Sequence, residues 1–205
     1  NDTVCQNFPL RIIHDYQLGK KSFDHDLIFC CSYSGNTEET LSVFSEVINK
    51  KTRVIVLAHG GKLKQRALEK NIPFIEIPEC IQPRMAAGYF FSGIISVLEQ
   101  LGVIESQKKN LEHLTTFLKE QQKRQEEIGK ELANCLKDKV PVIYGPSSFY
   151  GACRIIKIKF NENCKIQSFF NVFPELNHNE MVGWTKLLMP VTIIYLKSQY
   201  MHPLI

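Results

Sequence analysis

The chain has 205 residues, 44% of them hydrophobic and 22% charged, with a formal net charge of +4. Those proportions suit a globular fold of one large or two small domains with a buried core. The charge is too small and too dispersed to suggest a nucleic-acid partner, and no apolar run reaches the about 18 residues that cross a bilayer, so neither nucleic acid nor membrane is expected.

Seven cysteines, an odd number without paired metal-ligand spacing, argue against a structural metal site or a disulfide scaffold. Reduced, buried thiols in a cytoplasmic protein are the expectation. The opening residues do not read as a signal peptide.

In chain order, residues 27–31 read as a buried strand. Ser32, Ser34, Gly35, Asn36 and Thr37 follow as a loop, and residues 37–49 as a helix with Leu41, Phe44, Val47 and Ile48 on one side. A strand at 53–58, a turn at His59-Gly-Gly61, a short helix around 63–70 and a third strand at 74–77 complete the alternation. Continuous apolar strands separated by helices imply a parallel sheet covered on both faces. Gln82-Pro-Arg84 opens a long apolar helix that Gly102 stops.

Residues 105–138 are polar and helix-prone, with Leu111, Leu114, Leu118, Ile128, Leu132 and Leu136 at helical spacing. This amphipathic connector is expected to pack across both halves. The second half repeats the theme: a strand at 140–144, a Gly145-Pro-Ser-Ser148 loop, a helix over 149–163, an extended run near 166–170, and a last strand at 191–196. The expected architecture is α/β, with two related subdomains over residues 1–104 and 139–205 joined by the 105–138 connector. Ligands in such folds lie at the carboxyl ends of the strands.

The 27–40 segment is the most telling. Hydroxyls and backbone N–H groups converge where a strand hands over to a helix N-terminus, whose dipole favours an anion. The cradle has no lysine, which suits a small phosphorylated metabolite better than a nucleotide; the plainer reading is a Ser or Thr helix cap. His59-Gly-Gly-Lys62 lacks the spacing and the Ser or Thr of a P-loop, and no dinucleotide fingerprint is present.

Arg84, set by Pro83 in a first helical turn, is placed to meet an anion or a developing oxyanion; a solvated surface arginine is the alternative. In Pro174-Glu-Leu-Asn-His-Asn-Glu-Met-Val-Gly-Trp184, polar Asn177, His178 and Asn179 surround Glu180 beside apolar Met181, Val182 and Trp184. A carboxylate in such a setting makes a better general base. Metal binding by His178 and Glu180 is the rival reading, although the segment is no zincin motif.

Ser32-Tyr-Ser-Gly-Asn-Thr-Glu-Glu39 resembles the sugar-phosphate loop of sugar isomerase (SIS) domains. With Gln82-Pro-Arg84, Phe160-Asn-Glu-Asn163 and Pro174-Glu-Leu-Asn-His-Asn-Glu180, in that order, the chain resembles the bifunctional phosphoglucose/phosphomannose isomerases along nearly its whole length. The resemblance implies two SIS-type subdomains with flavodoxin-like or Rossmann-like parallel sheets. It implies metal-independent and cofactor-free conversion of glucose 6-phosphate or mannose 6-phosphate to fructose 6-phosphate through a cis-enediol. Ser32, Ser34 and Thr37 would hold the phosphate, Glu180 would shuttle the proton, and Arg84 would stabilise the enediolate.

Tyr200-Met-His-Pro203 resembles the family's histidine-proline segment, so His202, rather than His178, would open the sugar ring, delivered across a homodimer interface. On the same resemblance a glycine- and serine-rich loop would precede Asn1, and helices bearing an active-site lysine would follow Ile205. A non-catalytic SIS module that binds sugar phosphate is the alternative function.

Overall fold

A computed structural model describes residues 9–19 and 24–201. The chain divides into two compact units between Leu111 and Glu112.

In the N-terminal unit, strands β1 (Leu27–Cys31), β2 (Arg53–Ala58) and β3 (Phe74–Glu76) form a parallel sheet in the order β1-β2-β3. Phe29 pairs with Ile55, and Leu57 with Ile75. Successive strand residues point to opposite faces, and here both faces are apolar. Cys30, Val54, Val56 and Ala58 pack with Phe44 and Val47 of helix α1 (Glu38–Val47), with Leu63 and Ala67 of α2 (Gly61–Glu69), and with Leu18. Leu57, Phe29, Ile55 and Ile75 pack on the other side with Ile77, Ala86, and Phe90 and Ile94 of α3 (Ala87–Gln100). The helix expected to start at Arg84 is interrupted: Pro83–Met85 is a 3-10 turn, and α3 begins only at Ala87.

Helix α4 (Lys108–Leu136) contains the division between the units. Its stripe is less buried than its spacing suggests. Leu136 is buried and Leu111 half-buried, but Leu114, Leu118, Ile128 and Leu132 are exposed.

The C-terminal unit has β4 (Val140–Pro146), β5 (Phe169–Phe173) and β6 (Val191–Tyr195), all parallel, in the order β5-β4-β6. The order reverses at β4, the arrangement that leaves a crevice beyond the strand ends. Helix α5 (Tyr150–Lys159) lies against β4 and β5. It is shorter than the expected 149–163 span: a 3-10 turn, Ser147–Phe149, leads in and one π-helical turn, Phe160–Cys164, leads out. The strand expected near 166–170 falls at Phe169–Phe173, where the apolar run meets the buried residues of β4 in register. Val142 and Tyr144 pack with Leu176, Phe173, Trp184 and Val191.

Among the described residues Cys30 and Cys153 are buried and Cys80 half-buried, while Cys31, Cys135 and Cys164 are exposed, so the expectation of buried cysteines holds only for some of them. No helix among the described residues is long and apolar enough to cross a membrane.

Candidate functional site

Ser32 follows the last residue of β1 and is buried, its N–H donating to the Leu57 carbonyl at 3.0 Å. Its Oγ accepts the Gly35 N–H at 3.1 Å and pairs with Thr37 Oγ1 at 2.7 Å. Two hydroxyls that share one mutual bond keep one proton between them for a further acceptor. Thr37 occupies the N-cap position of α1, yet its side chain makes no capping bond. The hydroxyl that a simple cap would commit to the helix is turned to Ser32 instead. The first-turn amides of α1 have no intrahelical partners, which is what an anion at this end requires. Ser34 Oγ accepts the Asn36 N–H at 3.2 Å, and Ser34 and Thr37 are both exposed. Glu38 and Glu39 in the first turn complement the dipole, and they lower the local preference for a second anion.

The His59-Gly-Gly61 turn forms the second wall. The His59 N–H donates to Tyr33 O and the Leu63 N–H to Gly35 O, both at 2.9 Å, while the Lys62 N–H donates to Asn36 Oδ1 at 3.1 Å. Gly35 and Gly61 both have positive φ, +66° and +69°. A Cβ on Gly35 would overlap the Gly60 carbonyl oxygen, and one on Gly61 would overlap the Ser34 carbonyl oxygen. The loops interlock main chain to main chain, which only glycine allows. The Tyr33 ring stacks on His59 at 5.3 Å, and the Tyr33 hydroxyl accepts from Cys80 N–H at 2.7 Å. His59 Nδ1 lies 3.0 Å from the Ile77 carbonyl, so Nδ1 carries the proton. The His59-Gly-Gly-Lys62 motif, which lacks the P-loop spacing, is therefore the partner of the Ser32–Thr37 loop.

Arg84 belongs to the same unit. It is half-buried in its 3-10 turn, and its Nη1 donates to Gln82 Oε1 at 3.2 Å.

Glu180 belongs to the C-terminal unit and opens the short helix α6 (Glu180–Gly183). The Tyr144 hydroxyl donates to Glu180 Oε2, and Asn171 Nδ2 donates to Oε1 at 2.5 Å. Trp184 Nε1 donates to the Tyr144 oxygen at 3.1 Å. Tyr144 and Asn171 are register partners near the carboxyl ends of β4 and β5. Burial, followed by the Glu180 carboxylate, pushes the Tyr144 hydroxyl well above the ordinary tyrosine range.

The network is thus not the one expected from neighbouring polar residues. Asn177, His178 and Asn179 are exposed, and Asn179 Nδ2 reaches Glu175 instead, at 3.3 Å. Strand residues distant in sequence supply the donors. The signal available for them was a lone Asn in Phe169-Phe-Asn-Val-Phe173 and a hydroxyl at the end of a fully apolar strand. His202 lies outside the described residues.

The family model of the bacterial phospho-glucose isomerase C-terminal SIS domain matches residues 125–205. A bifunctional phosphoglucose/phosphomannose isomerase from Aquifex aeolicus is 37% identical over 191 residues, covering 93% of this chain and 58% of that protein. A D-glucosamine-6-phosphate 4-epimerase from Sulfolobus acidocaldarius is 31% identical over 155 residues, covering 75% of this chain and 49% of that protein. The chain thus spans about half the length of these curated relatives. Among solved structures, a candidate phosphosugar isomerase from Salmonella typhimurium LT2 shares the fold with a TM-score of 0.67 at 20% identity, over 91% of this chain and 58% of that one.

Proposed function

Because the chain belongs to the family of bifunctional phosphoglucose/phosphomannose isomerases, we propose that it interconverts glucose 6-phosphate or mannose 6-phosphate with fructose 6-phosphate. The observation that carries this reading is the Glu180 carboxylate, each oxygen held by a separate donor, Tyr144 or Asn171, at the strand ends.

In the proposed reaction Glu180 removes the proton from C2 of the open-chain aldose. The C–H electron pair moves toward C1, and the carbonyl oxygen gathers the charge of a cis-enediolate. Arg84 stabilises that charge. The same carboxyl then returns the proton to C1, while O2 becomes the ketose carbonyl and the O2 proton leaves for O1. Glucose and mannose differ only at C2, so one base serves both if the C2–C3 bond rotates in the pocket. Ser32, Ser34, Thr37 and the first turn of α1 hold the phosphate. His202 opens the ring, supplied by a second copy of the chain in a homodimer. The chemistry moves protons only and calls on no cofactor. The proposed setting is the cytoplasm, where phosphorylated hexoses are retained by their charge.

The test is a coupled assay of fructose 6-phosphate formation by the intact protein from both aldoses, with Glu180→Gln beside it. The substitution is expected to lower kcat by about 10³-fold and to leave KM within about threefold. Its amide can still accept from Asn171, and the Tyr144 hydroxyl can turn to accept from the new NH₂, so the fold is retained. Turnover of neither aldose, with glucose 6-phosphate still bound, would replace this reading with a sugar-phosphate sensor. D-glucosamine 6-phosphate belongs in the same panel, given the 4-epimerase relative.

A further inference from the structure

We infer that Tyr144 is a positioning residue for the Glu180 carboxylate, its hydroxyl aimed by the indole of Trp184. The inference rests on the isomerase reading above for its consequence in turnover, and on geometry alone for the coupling.

The direction of the chain of bonds follows from chemistry. An indole N–H only donates, so Trp184 Nε1, 3.1 Å from the Tyr144 oxygen, occupies one of that oxygen's lone pairs. The single phenolic proton is then left for Glu180 Oε2. Tyr144 is buried, where a hydroxyl without a partner is costly, and both of its bonds are made inside this cluster. Its ring is held edge-on by Phe173 at 6.1 Å and 74°, and by Trp184 at 6.3 Å and 69°.

Asn171 fixes the other oxygen, and its orientation is not arbitrary. The Val172 N–H occupies Asn171 Oδ1 at 2.8 Å, so the NH₂ end faces Glu180. Each carboxylate oxygen has two lone pairs and is met here by a single donor. The carboxylate is clamped in plane and rotation while lone pairs remain for a substrate. A base that must reach two adjacent carbons gains from being held in one orientation. Around it, the charged groups of the flanking turns, Glu175 and His178 before it and Lys186 after it, are exposed, and from β6 the Tyr195 hydroxyl is directed to Met201 Sδ at 3.8 Å.

The experiment uses Tyr144→Phe in the intact protein, which keeps the ring and deletes the donor. Loss of orientation is expected to lower kcat on both aldoses about tenfold or more, with KM within about threefold. The carboxyl-carbon NMR signal of Glu180, read at one fixed pH, is expected to move and broaden as the held orientation is lost, a readout that needs no turnover. Trp184→Phe, which removes the aiming N–H but leaves the phenol, should act in the same direction and less. An unchanged kcat and an unchanged Glu180 carboxyl signal in Tyr144→Phe would overturn the inference. If the unsubstituted protein converts neither aldose, the isomerase reading fails by itself, and the fixed-pH carboxyl signal still decides the coupling.

Discussion

Gly35→Ala tests the most consequential contact in the N-terminal unit. Two terms add. An alanine at φ +66° costs about 1 kcal/mol in the left-handed region. Its Cβ would also overlap the Gly60 carbonyl oxygen and stand 2.8 Å from the carbonyl carbon, so the two loops must part. Separation breaks the His59–Tyr33 and Leu63–Gly35 main-chain hydrogen bonds, each about 1 kcal/mol net. The sum is about 3 kcal/mol, which corresponds to about 6–12 °C in Tm for a chain of this size. Gly60→Ala is the matched control, because a Cβ there meets nothing within 4 Å and its φ of −169° is ordinary extended backbone. Thermal unfolding with and without glucose 6-phosphate reads both stability and phosphate grip. The expected result is a large fall in Tm and loss of ligand protection for Gly35→Ala, with Gly60→Ala within about 2 °C of the parent. A Gly35→Ala protein that melts with the parent and is protected equally by ligand would refute the interlock.

Arg84→Ala should lower kcat about 10²-fold while raising KM less than threefold, because its contribution grows as the enediolate charge forms; steady-state rates on both aldoses check this, and loss of affinity with kcat intact would make Arg84 a ground-state ligand. Burial pushes the Cys30 thiol up to about 12, with Cys31 beside it contributing, and burial also raises Cys153. Only the thiolate alkylates, so at pH 8 iodoacetamide should modify exposed Cys135 and Cys164 first, with Cys30 gaining reactivity only as pH rises toward 12. Mass spectrometry of a labelling time course reads the order, and Cys30 reacting as fast as Cys135 at pH 8 would contradict it.

Strand–helix alternation and the phosphate-type loop were legible in the sequence because both are local. Apolar runs such as Arg53–Ala58 declare a strand covered on both faces, and the crowded Ser, Gly and Thr of residues 32–37 declare a loop at a helix start. What escaped was non-local. The meeting of Gly35 with Gly60 and Gly61 depends on parallel pairing of β1 with β2, which places two turns at one sheet edge. Tyr144 and Asn171 meet Glu180 because of strand register, 27 residues apart in sequence for the pair itself. Local polarity pointed to Asn177, His178 and Asn179, and these face solvent. The α3 start was displaced for a related reason: Pro83 fixes its own φ and admits a helical turn, but not the length of the helix that follows.

The glycine interlock also has a genetic corollary. Most packing defects are repairable, since a neighbouring side chain can shrink or grow to accommodate the change. Here the obstacle to any substituent at position 35 is a peptide carbonyl, which no replacement of amino-acid identity nearby can trim. Intragenic suppressors of a Gly35 lesion should therefore be scarce beside those of a core lesion such as Phe44, and reversion to glycine should dominate any selection.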